Sequence, residues 1–510
     1  MGMGSLLKKK ETIIILAEAI VLLFILFLRF KLAPVRYFDI DELAYLHWGY
    51  NLSIGERPYT DFLFLLPPLF LYSLMPLFIV IGRSVFLLVA ARIFMAFVFL
   101  LVTIVLILLG RKMGNIHTGL LAGIVFAFLP IPSDKMLEIR PDMVALLFSL
   151  LGLYLFLKGM EKQKRLWLFL AGVSFALSLG FIPKTIFFLL PVVIIAWFMG
   201  YKGAIKGQLT KTIKSLYLPL TAGFAIPALV MLIIILSFGN FRFALFSMTK
   251  LASDIHKTLG AKFYMRPDIF FYPNDTYYGF GGTHNLPYIL NLFIYVTAAL
   301  WAIKKCVSCL SYQDDNKCLR EFIISLAFFV NLAAFVKFYP LKHAQYLIMI
   351  APFIAFYFAD FIVSLDRLSH PLGKFMTLSL YFLLLFSISY AGYRMYEKKV
   401  KWDNRATLEK INQVLAAVPA QERVFDLTGG SVFFRHGYYF CCLSYGQYEE
   451  VLNFPITSVE TAFNQNGTKF VYTDFYGRLE ILPPLQSAYI KNNFKPYFPD
   501  GSLLIRNSSL

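Results

Sequence analysis

Long apolar stretches recur along most of the chain and constrain its fold more than any other feature. A helix needs about 20 apolar residues to cross a bilayer. The stretches that approach this length are 12–32, 84–109, 116–133, 141–158, 166–182, 185–200, 217–238, 286–303, 321–336, 345–363 and 375–392. Of the 510 residues, 58% are hydrophobic and only 15% are charged, which excludes an ordinary soluble protein. The sequence therefore predicts an α-helical polytopic membrane protein with about 11 spans.

The distribution of charge predicts how these spans are oriented. The formal net charge is +18, but Lys and Arg lie in short clusters between apolar stretches, and there is no basic and aromatic stripe typical of nucleic-acid binding. The clusters fall mostly in alternate loops, and basic loops stay in the cytoplasm. We therefore expect a multi-pass protein of the cytoplasmic (inner) membrane, with an uncleaved signal anchor, a cytoplasmic N-terminus and an external C-terminus. No nucleic-acid partner is expected.

Three longer segments then lie on the outer face, namely 33–83, 239–285 and 393–510. Prolines interrupt the apolar segment 62–82, which is predicted to be an interfacial or re-entrant helix. In the tail, TLEKINQVLAAVP has helical periodicity, whereas RVFDL, KFVYTDF and SLLIR are typical of short strands. The predicted organisation is a membrane domain at 1–400, with outer loops 33–83 and 239–285, and a small extracytoplasmic α/β domain at 401–510.

The stretch YFDIDELAYLHWGY (37–50) places Asp39, Asp41 and Glu42 almost directly after the first span. Charges beside a bilayer are costly unless they are hydrated, paired or functional. The simpler interpretation is a helix N-cap with acidic residues in the first turn. The alternative is a general base, because an aromatic, partly buried helix can hold a carboxylate out of bulk water and raise its basicity.

Polar residues at the outer ends of other predicted spans indicate a phosphate site. The stretch EIRPDMVALLF (138–148) places Arg140 and Asp142 at the start of a span, at the same membrane level as Asp41. Lys184 stands alone between two spans, either snorkelling to the interface or contacting a phosphate. The remaining candidates for donor or substrate binding are Arg57, Lys342, His343 and Tyr346.

Other catalytic chemistries have no supporting pattern in this sequence. Neither a GxSxG nucleophile motif nor a phosphate-binding P-loop occurs. Cys306 and Cys309 form a CxxC with Cys318 nearby, but no clear fourth zinc ligand accompanies them. The adjacent Cys441 and Cys442 are expected to be structural. We therefore assign no metal ligand and no cofactor, and the sequence leaves a requirement for a divalent metal open.

The order of the motifs resembles the GT-C glycosyltransferases, especially the aminoarabinose transferase and protein O-mannosyltransferase branch, of the bacterial family 39 type. The resemblance rests on the acids after the first span, GERPYTDF (55–62), Pro67-Pro68-Leu69, Gly82, Ala91-Arg92, Arg140-Pro141-Asp142 and a late His/Gln/Tyr cluster. It implies inverting transfer of a sugar from a polyprenyl-phosphate donor to a lipid, glycan or protein acceptor outside the cytoplasmic membrane.

The resemblance also implies roles for particular residues. Asp41 matches the acid usually taken as catalytic and Glu42 matches its neighbour, with Asp39 as the rival. Many relatives have a Lys before the Pro-Pro as a phosphate contact, but Leu66 stands here. Another cation must then serve, for which Lys184, Arg140 and Lys342 are the candidates.

Two other functions remain open at this point. A flippase or transporter of a polyprenyl-linked glycan would use the acids as a coupling site, although transporters usually place such acids near the membrane midplane and often show internal repeats. An oligosaccharide ligase, which moves a whole glycan from a pyrophosphate lipid, would share the chemistry of the outer face.

Overall fold

The computed structural model describes residues 3–133, 135–254, 257, 285–310, 316–339, 344–368, 371–442 and 457–507, and most of them are helical. The main helices of the membrane region are α1 (Met3–Leu32), α2 (Ile40–Ser53), α3 (Leu69–Ile81), α4 (Phe86–Met113), α5 (Ile116–Phe128), α6 (Pro141–Lys162), α7 (Arg165–Phe181), α8 (Ile186–Ile205), α9 (Leu218–Ser237), α10 (Phe241–Phe246), α11 (Leu286–Leu310), α12 (Asn316–Ala333), α13 (Ala351–Leu368) and α14 (Pro371–Lys399). Most of the predicted outer loop 239–285, together with Lys342 and His343, lies outside the described residues.

Within these ranges, eight helical segments are long and apolar enough to cross a bilayer. They are Glu11–Leu32, Phe86–Met113, Pro141–Lys162, Pro183–Ile205, Leu209–Ser237, Leu286–Cys309, Lys317–Phe338 and Phe375–Lys399. Each coincides with a predicted span, which confirms a multi-pass helical membrane protein. The other three predicted spans are shorter apolar helices, at Ile116–Phe128, Arg165–Phe181 and Ala351–Leu365. The first of them ends before Pro130 and Pro132, because a proline disfavours helical geometry at the residue that precedes it.

The proline-interrupted segment 62–82 forms one short helix rather than a span. Helix α3 begins directly after Pro68 and continues through Pro76 to Ile81. Its Phe78 packs against Gly49 of α2, and Leu69 at its start packs against Gly180 of α7. Ile79 and Val80 are largely exposed, as expected for a helix with one face in an apolar environment.

Helices α7 and α9 approach each other closely through a pair of glycines. A Cβ atom on Gly172 would lie 2.2 Å from the carbonyl oxygen of Leu220, and one on Gly223 would lie 2.0 Å from the carbonyl oxygen of Phe169. At both contacts even a Cβ atom would clash with the backbone of the other helix. Small residues are enriched at helix contacts inside membranes because they let backbones pack closely.

The C-terminal region folds as a small mixed sheet with three flanking helices. The helices are α15 (Arg405–Ala417), α16 (Val459–Asn466) and α17 (Pro484–Asn493), and the strands are β1 (Arg423–Asp426), β2 (Arg435–His436), β3 (Phe470–Tyr472), β4 (Phe494–Pro496) and β5 (Leu503–Arg506). The strand order is β2-β1-β3-β5-β4, with β1 parallel to β2 and β3 and the other pairs antiparallel. The three strands predicted from sequence are present, and β2 and β4, which are only two and three residues long, were not predicted.

The sheet region packs directly on α2. The Asn51 side chain donates a hydrogen bond to the carbonyl oxygen of Phe434 over 3.1 Å. Gly429 adopts a φ of 82°, and a Cβ atom there would lie 2.6 Å from Cα of Ala44. In addition, Leu63 N–H donates to the carbonyl oxygen of Tyr439 over 2.9 Å. The residues that follow the first span therefore lie between the helical bundle and the C-terminal sheet.

Candidate active site

The acids at the start of α2 contribute to helix capping as well as to charge. Asp39 is the N-cap, and its side chain accepts a hydrogen bond from the backbone N–H of Asp41 over 3.1 Å. The Glu42 carboxylate in turn accepts from the backbone N–H of Asp39 over 2.9 Å. This reciprocal capping box satisfies two backbone donors at the helix start. Helix capping, the simpler interpretation of the acidic stretch, therefore explains the positions of Asp39 and Glu42.

Glu42 is fully buried and joins several segments. Its carboxylate accepts hydrogen bonds from the guanidinium of Arg92 on α4, and from the backbone N–H of Ile139 over 2.9 Å. Arg92 also donates to the carbonyl oxygen of Tyr37 over 2.8 Å. Both side chains have a relative exposure of 0%. This ion pair holds the start of α2 against α4 and against the loop before α6.

Asp39 and Glu138 share a cation. Lys135 Nζ lies 2.8 Å from Asp39 and 2.9 Å from Glu138, and Arg36 lies 3.2 Å from Glu138. Burial alone would raise the pKa of Asp39, but the charges of Lys135 and Arg140 outweigh it and hold that pKa well below its usual value. Burial raises the pKa of Glu138 to about 7, even though Lys135 favours its charged form. Asp39 is therefore a weak base.

Asp41 has a different environment from its two neighbours. Its side chain keeps a relative exposure of 48%, and it accepts a hydrogen bond from Arg140 Nη1. Arg140 is buried, and its Nε lies 3.5 Å from Asp142, which also pairs with Lys184. The site thus continues from an accessible carboxylate through Arg140 and Asp142 to the largely buried Lys184.

An aromatic wall closes the lysine end of this series. Lys184 Nζ lies 4.5 Å from the ring centroid of Tyr346, and the Tyr346 ring stacks on Tyr339 with 5.0 Å between centroids. A cation over an aromatic face is stabilised by the ring quadrupole. Arg57, by contrast, pairs with Asp61 in a more exposed loop. The structure therefore brings Asp39, Asp41, Glu42, Arg140, Asp142, Lys184 and Tyr346 together.

Four charged residues at this site were not among the predicted site residues. They are Arg36, Arg92, Lys135 and Glu138. Lys135 and Glu138 lie in the same short outer connection as Arg140, and Arg92 belongs to the Ala91-Arg92 pair of the family resemblance. These positions in the sequence could have identified three of the four as site residues. We use the term charge array for the carboxylates Asp39, Asp41, Glu42, Glu138 and Asp142 with the cations Arg36, Arg92, Lys135, Arg140 and Lys184.

The charge array offers a divalent metal ion no unpaired carboxylate. Each of its five carboxylates has a Lys or Arg nitrogen within ion-pair distance. A divalent ion would have to compete with these cations for the carboxylate oxygens. The positive charge that these residues offer a substrate is therefore that of Lys and Arg.

The fold is shared with solved membrane glycosyltransferases, and part of the chain matches a glycosyltransferase family model, in agreement with the GT-C resemblance seen in the sequence. Residues 66–248 match the family model described as dolichyl-phosphate-mannose-protein mannosyltransferase. That match covers the turn into α3, the loop carrying Arg140 and the position of Lys184. No curated protein matches the chain.

Solved structures of two proteins share this fold over nearly the whole chain. The archaeal oligosaccharyltransferase AglB from Archaeoglobus fulgidus, solved with an inhibitory peptide and a dolichol-phosphate, aligns with a TM-score of 0.57 and 11% identity, covering 96% of this chain and 74% of AglB. ArnT from Cupriavidus metallidurans, bound to undecaprenyl phosphate, aligns with a TM-score of 0.54 and 13% identity, covering 96% of this chain and 97% of ArnT. At these identities the similarity concerns the fold.

Proposed function

We propose that the protein is an inverting glycosyltransferase. It moves a hexosyl or pentosyl group from a polyprenyl-phosphate donor to a lipid, glycan or protein acceptor on the outer face of the cytoplasmic membrane. The observation that carries this proposal is the half-exposed Asp41 carboxylate bound to Arg140, which is in turn adjacent to Asp142 and Lys184. The match to a mannosyltransferase family model and the lipid phosphates bound to AglB and ArnT support it.

Asp41 acts as the general base in this proposal. It takes the proton from the acceptor hydroxyl, whose oxygen attacks the anomeric carbon of the donor sugar from the face opposite the phosphate. The bond between the anomeric carbon and the phosphate oxygen breaks, and the lipid phosphate leaves with the bonding electron pair. One displacement inverts the anomeric configuration. A positioned base typically contributes about 10²–10⁴-fold to the rate.

Arg140 and Lys184 stabilise the departing phosphate. Both lie at the buried side of Asp41, and preorganised cations are most effective where water is excluded. Among the described residues, the buried Arg140 Nε has no hydrogen-bond partner, since Asp142 lies 3.5 Å away. This N–H can be satisfied by a phosphate oxygen. Asp39 and Glu42 are positioning residues, because their oxygens bind the helix start, Lys135 and Arg92.

The test is transfer of radiolabelled sugar from a polyprenyl-phosphate donor in membranes containing the full chain. Asp41→Asn should lower the rate by about 10²–10⁴-fold, because the amide cannot accept the proton. Asp500→Asn is the matched control, since Asp500 is also an ion-paired aspartate with 50% relative exposure. Transfer that survives in Asp41→Asn contradicts the assignment of the base.

A second candidate is an oligosaccharide ligase, which the similarity to AglB favours. The same assay separates the two by comparing a monosaccharide phosphate lipid with an oligosaccharide pyrophosphate lipid. Transfer from only the pyrophosphate lipid establishes the ligase. A glycan flippase has less support, because the charge array lies at helix ends rather than at their centres.

A further inference from the structure

Four buried side chains with metal-binding atoms meet where α2 packs on the C-terminal sheet. They are His47, His436, Cys441 and Cys442, and one ligand atom from each lies within 4.8 Å of those of the other three. Among the residues that the structure describes, this is the one group of His, Cys, Asp and Glu side chains whose possible ligand atoms lie this close together. None of the four belongs to the charge array.

The imidazole of His47 is oriented as that of a metal-binding histidine commonly is. His47 Nδ1 donates to the carbonyl oxygen of Val432 over 3.0 Å, which leaves a lone pair on Nε2. That Nε2 faces His436 Nδ1 at 3.2 Å. Metal-binding histidines usually hold their second nitrogen on a carbonyl or carboxylate in this manner. Val432 reaches its position with a φ of 38°, a conformation that is rare for a β-branched residue.

The second nitrogen of His436 is also unusual. Among the described residues, Nε2 of His436 is buried without a hydrogen-bond partner. The residue has a relative exposure of 2%, and the Phe62 ring lies 4.8 Å from its ring, centroid to centroid. A buried polar atom without a partner is costly. The hydrogen bond between the two imidazoles therefore leaves one nitrogen of the pair unsatisfied.

The neighbouring cysteines are bonded to each other in the structure. In the chain-entropy account, a disulfide stabilises a fold by closing a loop in the unfolded chain, and the effect grows with loop length. A bond between adjacent residues closes no such loop. The burial of this pair beside two imidazoles therefore needs another explanation. As thiolates, the two sulfurs are soft ligands that suit zinc.

We propose that His47, His436 and the reduced pair Cys441 and Cys442 form a structural Zn²⁺ site that joins α2 to the C-terminal sheet. Two imidazoles and two thiolates are a known tetrahedral zinc set, and four protein ligands leave no position for a substrate. Nitrogens 3.2 Å apart fit two ligands that each lie about 2.0–2.1 Å from one ion. The ion would bind α2 at a point about 9 Å along the helix axis from Asp41, since His47 is six positions after Asp41.

Zinc binding requires the dithiol form of the pair. Reduction breaks the Cys441–Cys442 bond with two electrons and two protons, which a small dithiol supplies as it is oxidised to its own disulfide. Each cysteine then loses its proton as its sulfur binds the ion. Neutral histidines supply the other two lone pairs. The disulfide and the zinc complex are therefore alternative states of the same four residues.

The test is zinc content of the full chain, purified in detergent and treated with a dithiol reductant without oxygen. After incubation with Zn²⁺ and gel filtration, elemental mass spectrometry should find about one ion per chain. Cys441→Ser with Cys442→Ser should lose the ion. Cys306→Ser with Cys309→Ser is the matched control, because it removes two unpaired cysteines elsewhere, and it should keep the ion.

Two measurements on the unaltered chain keep the test independent of whether the variant folds. Co²⁺ in place of Zn²⁺ should give thiolate-to-metal charge-transfer absorption. Zn²⁺ should also slow alkylation of Cys441 and Cys442 while leaving Cys306 reactive. The proposal is overturned if the reduced chain takes up no zinc, if the Cys441 and Cys442 variant retains it, or if bound zinc protects only Cys306 and Cys309.

Discussion

Three acids within four positions have three separate roles in this molecule. Asp39 caps α2 and binds Lys135, Glu42 is buried on Arg92, and Asp41 alone keeps half of its side chain exposed. The sequence predicted the group and favoured Asp41 through the family resemblance. It could not predict the separate environments, because Arg92, Lys135 and Arg140 lie about fifty to a hundred positions away along the chain.

Glu42→Gln should destabilise the protein more than it affects the proton transfer itself. The substitution leaves the Arg92 guanidinium, with a relative exposure of 0%, without its counter-charge. Breaking a buried pair in this way typically costs about 3–5 kcal/mol. Thermal unfolding in detergent should show a lower melting temperature. Glu161→Gln removes an exposed partner of Lys112, and it should cost about 1 kcal/mol or less. Equal melting of both variants would contradict the structural role of Glu42.

Glu138 should give the protein a specific pH dependence of stability. Burial raises its pKa from 4.5 to about 7, so between these values the folded chain holds a proton that the unfolded chain has released. The free energy of unfolding then falls as pH rises through this window. The depressed pKa of Asp39 acts only at lower pH.

Melting curves of the unaltered chain and Glu138→Gln across that window provide the measurement. The amide does not titrate, so the variant should lack this part of the pH dependence. Its stability relative to the unaltered chain should therefore increase as pH rises. A constant difference between the two proteins would show that Glu138 is already ionised at the low end of the window.

At the scale of helices, close packing around short apolar helices builds the bundle. The apolar stretches of the sequence predicted where eleven of the helices lie. They could not show that three of these helices are short, because an apolar stretch also includes the apolar turns beside a helix. Nor could it show which helices touch. The contact of Gly172 with the Leu220 carbonyl joins helices that are separated in sequence by all of α8.

Gly223→Leu should therefore disrupt the contact between α7 and α9. A Cβ atom at Gly223 would lie 2.0 Å from the Phe169 carbonyl oxygen, and overpacking typically costs about 1–3 kcal/mol or more. The same substitution at Ala225, an exposed position of the same helix, adds the same side chain without a backbone clash. The fraction of each variant that stays monodisperse on heating measures the effect. Similar loss in both variants would indicate a general effect of Leu.

For the whole molecule, the sequence predicted the GT-C fold and an α/β tail but not how the two meet. The relevant contacts are backbone ones, such as Leu63 N–H to Tyr439 and Gly429 against Ala44. Backbone contacts leave little trace in residue type. His47 was singled out only as part of an aromatic helix, because its approach to His436, Cys441 and Cys442 joins side chains that lie nearly 400 positions apart in the sequence.

The charge array contains equal numbers of carboxylates and cations, and this balance has a consequence for anions that enter it. A phosphate arriving at a neutral, largely buried array leaves excess negative charge unless a proton arrives with it. Glu138, with a pKa raised to about 7, is the group that can take up this proton near neutral pH. Phosphate binding and proton uptake are then thermodynamically linked. If the array binds a lipid phosphate as proposed, its affinity should increase as the surrounding medium becomes more acidic.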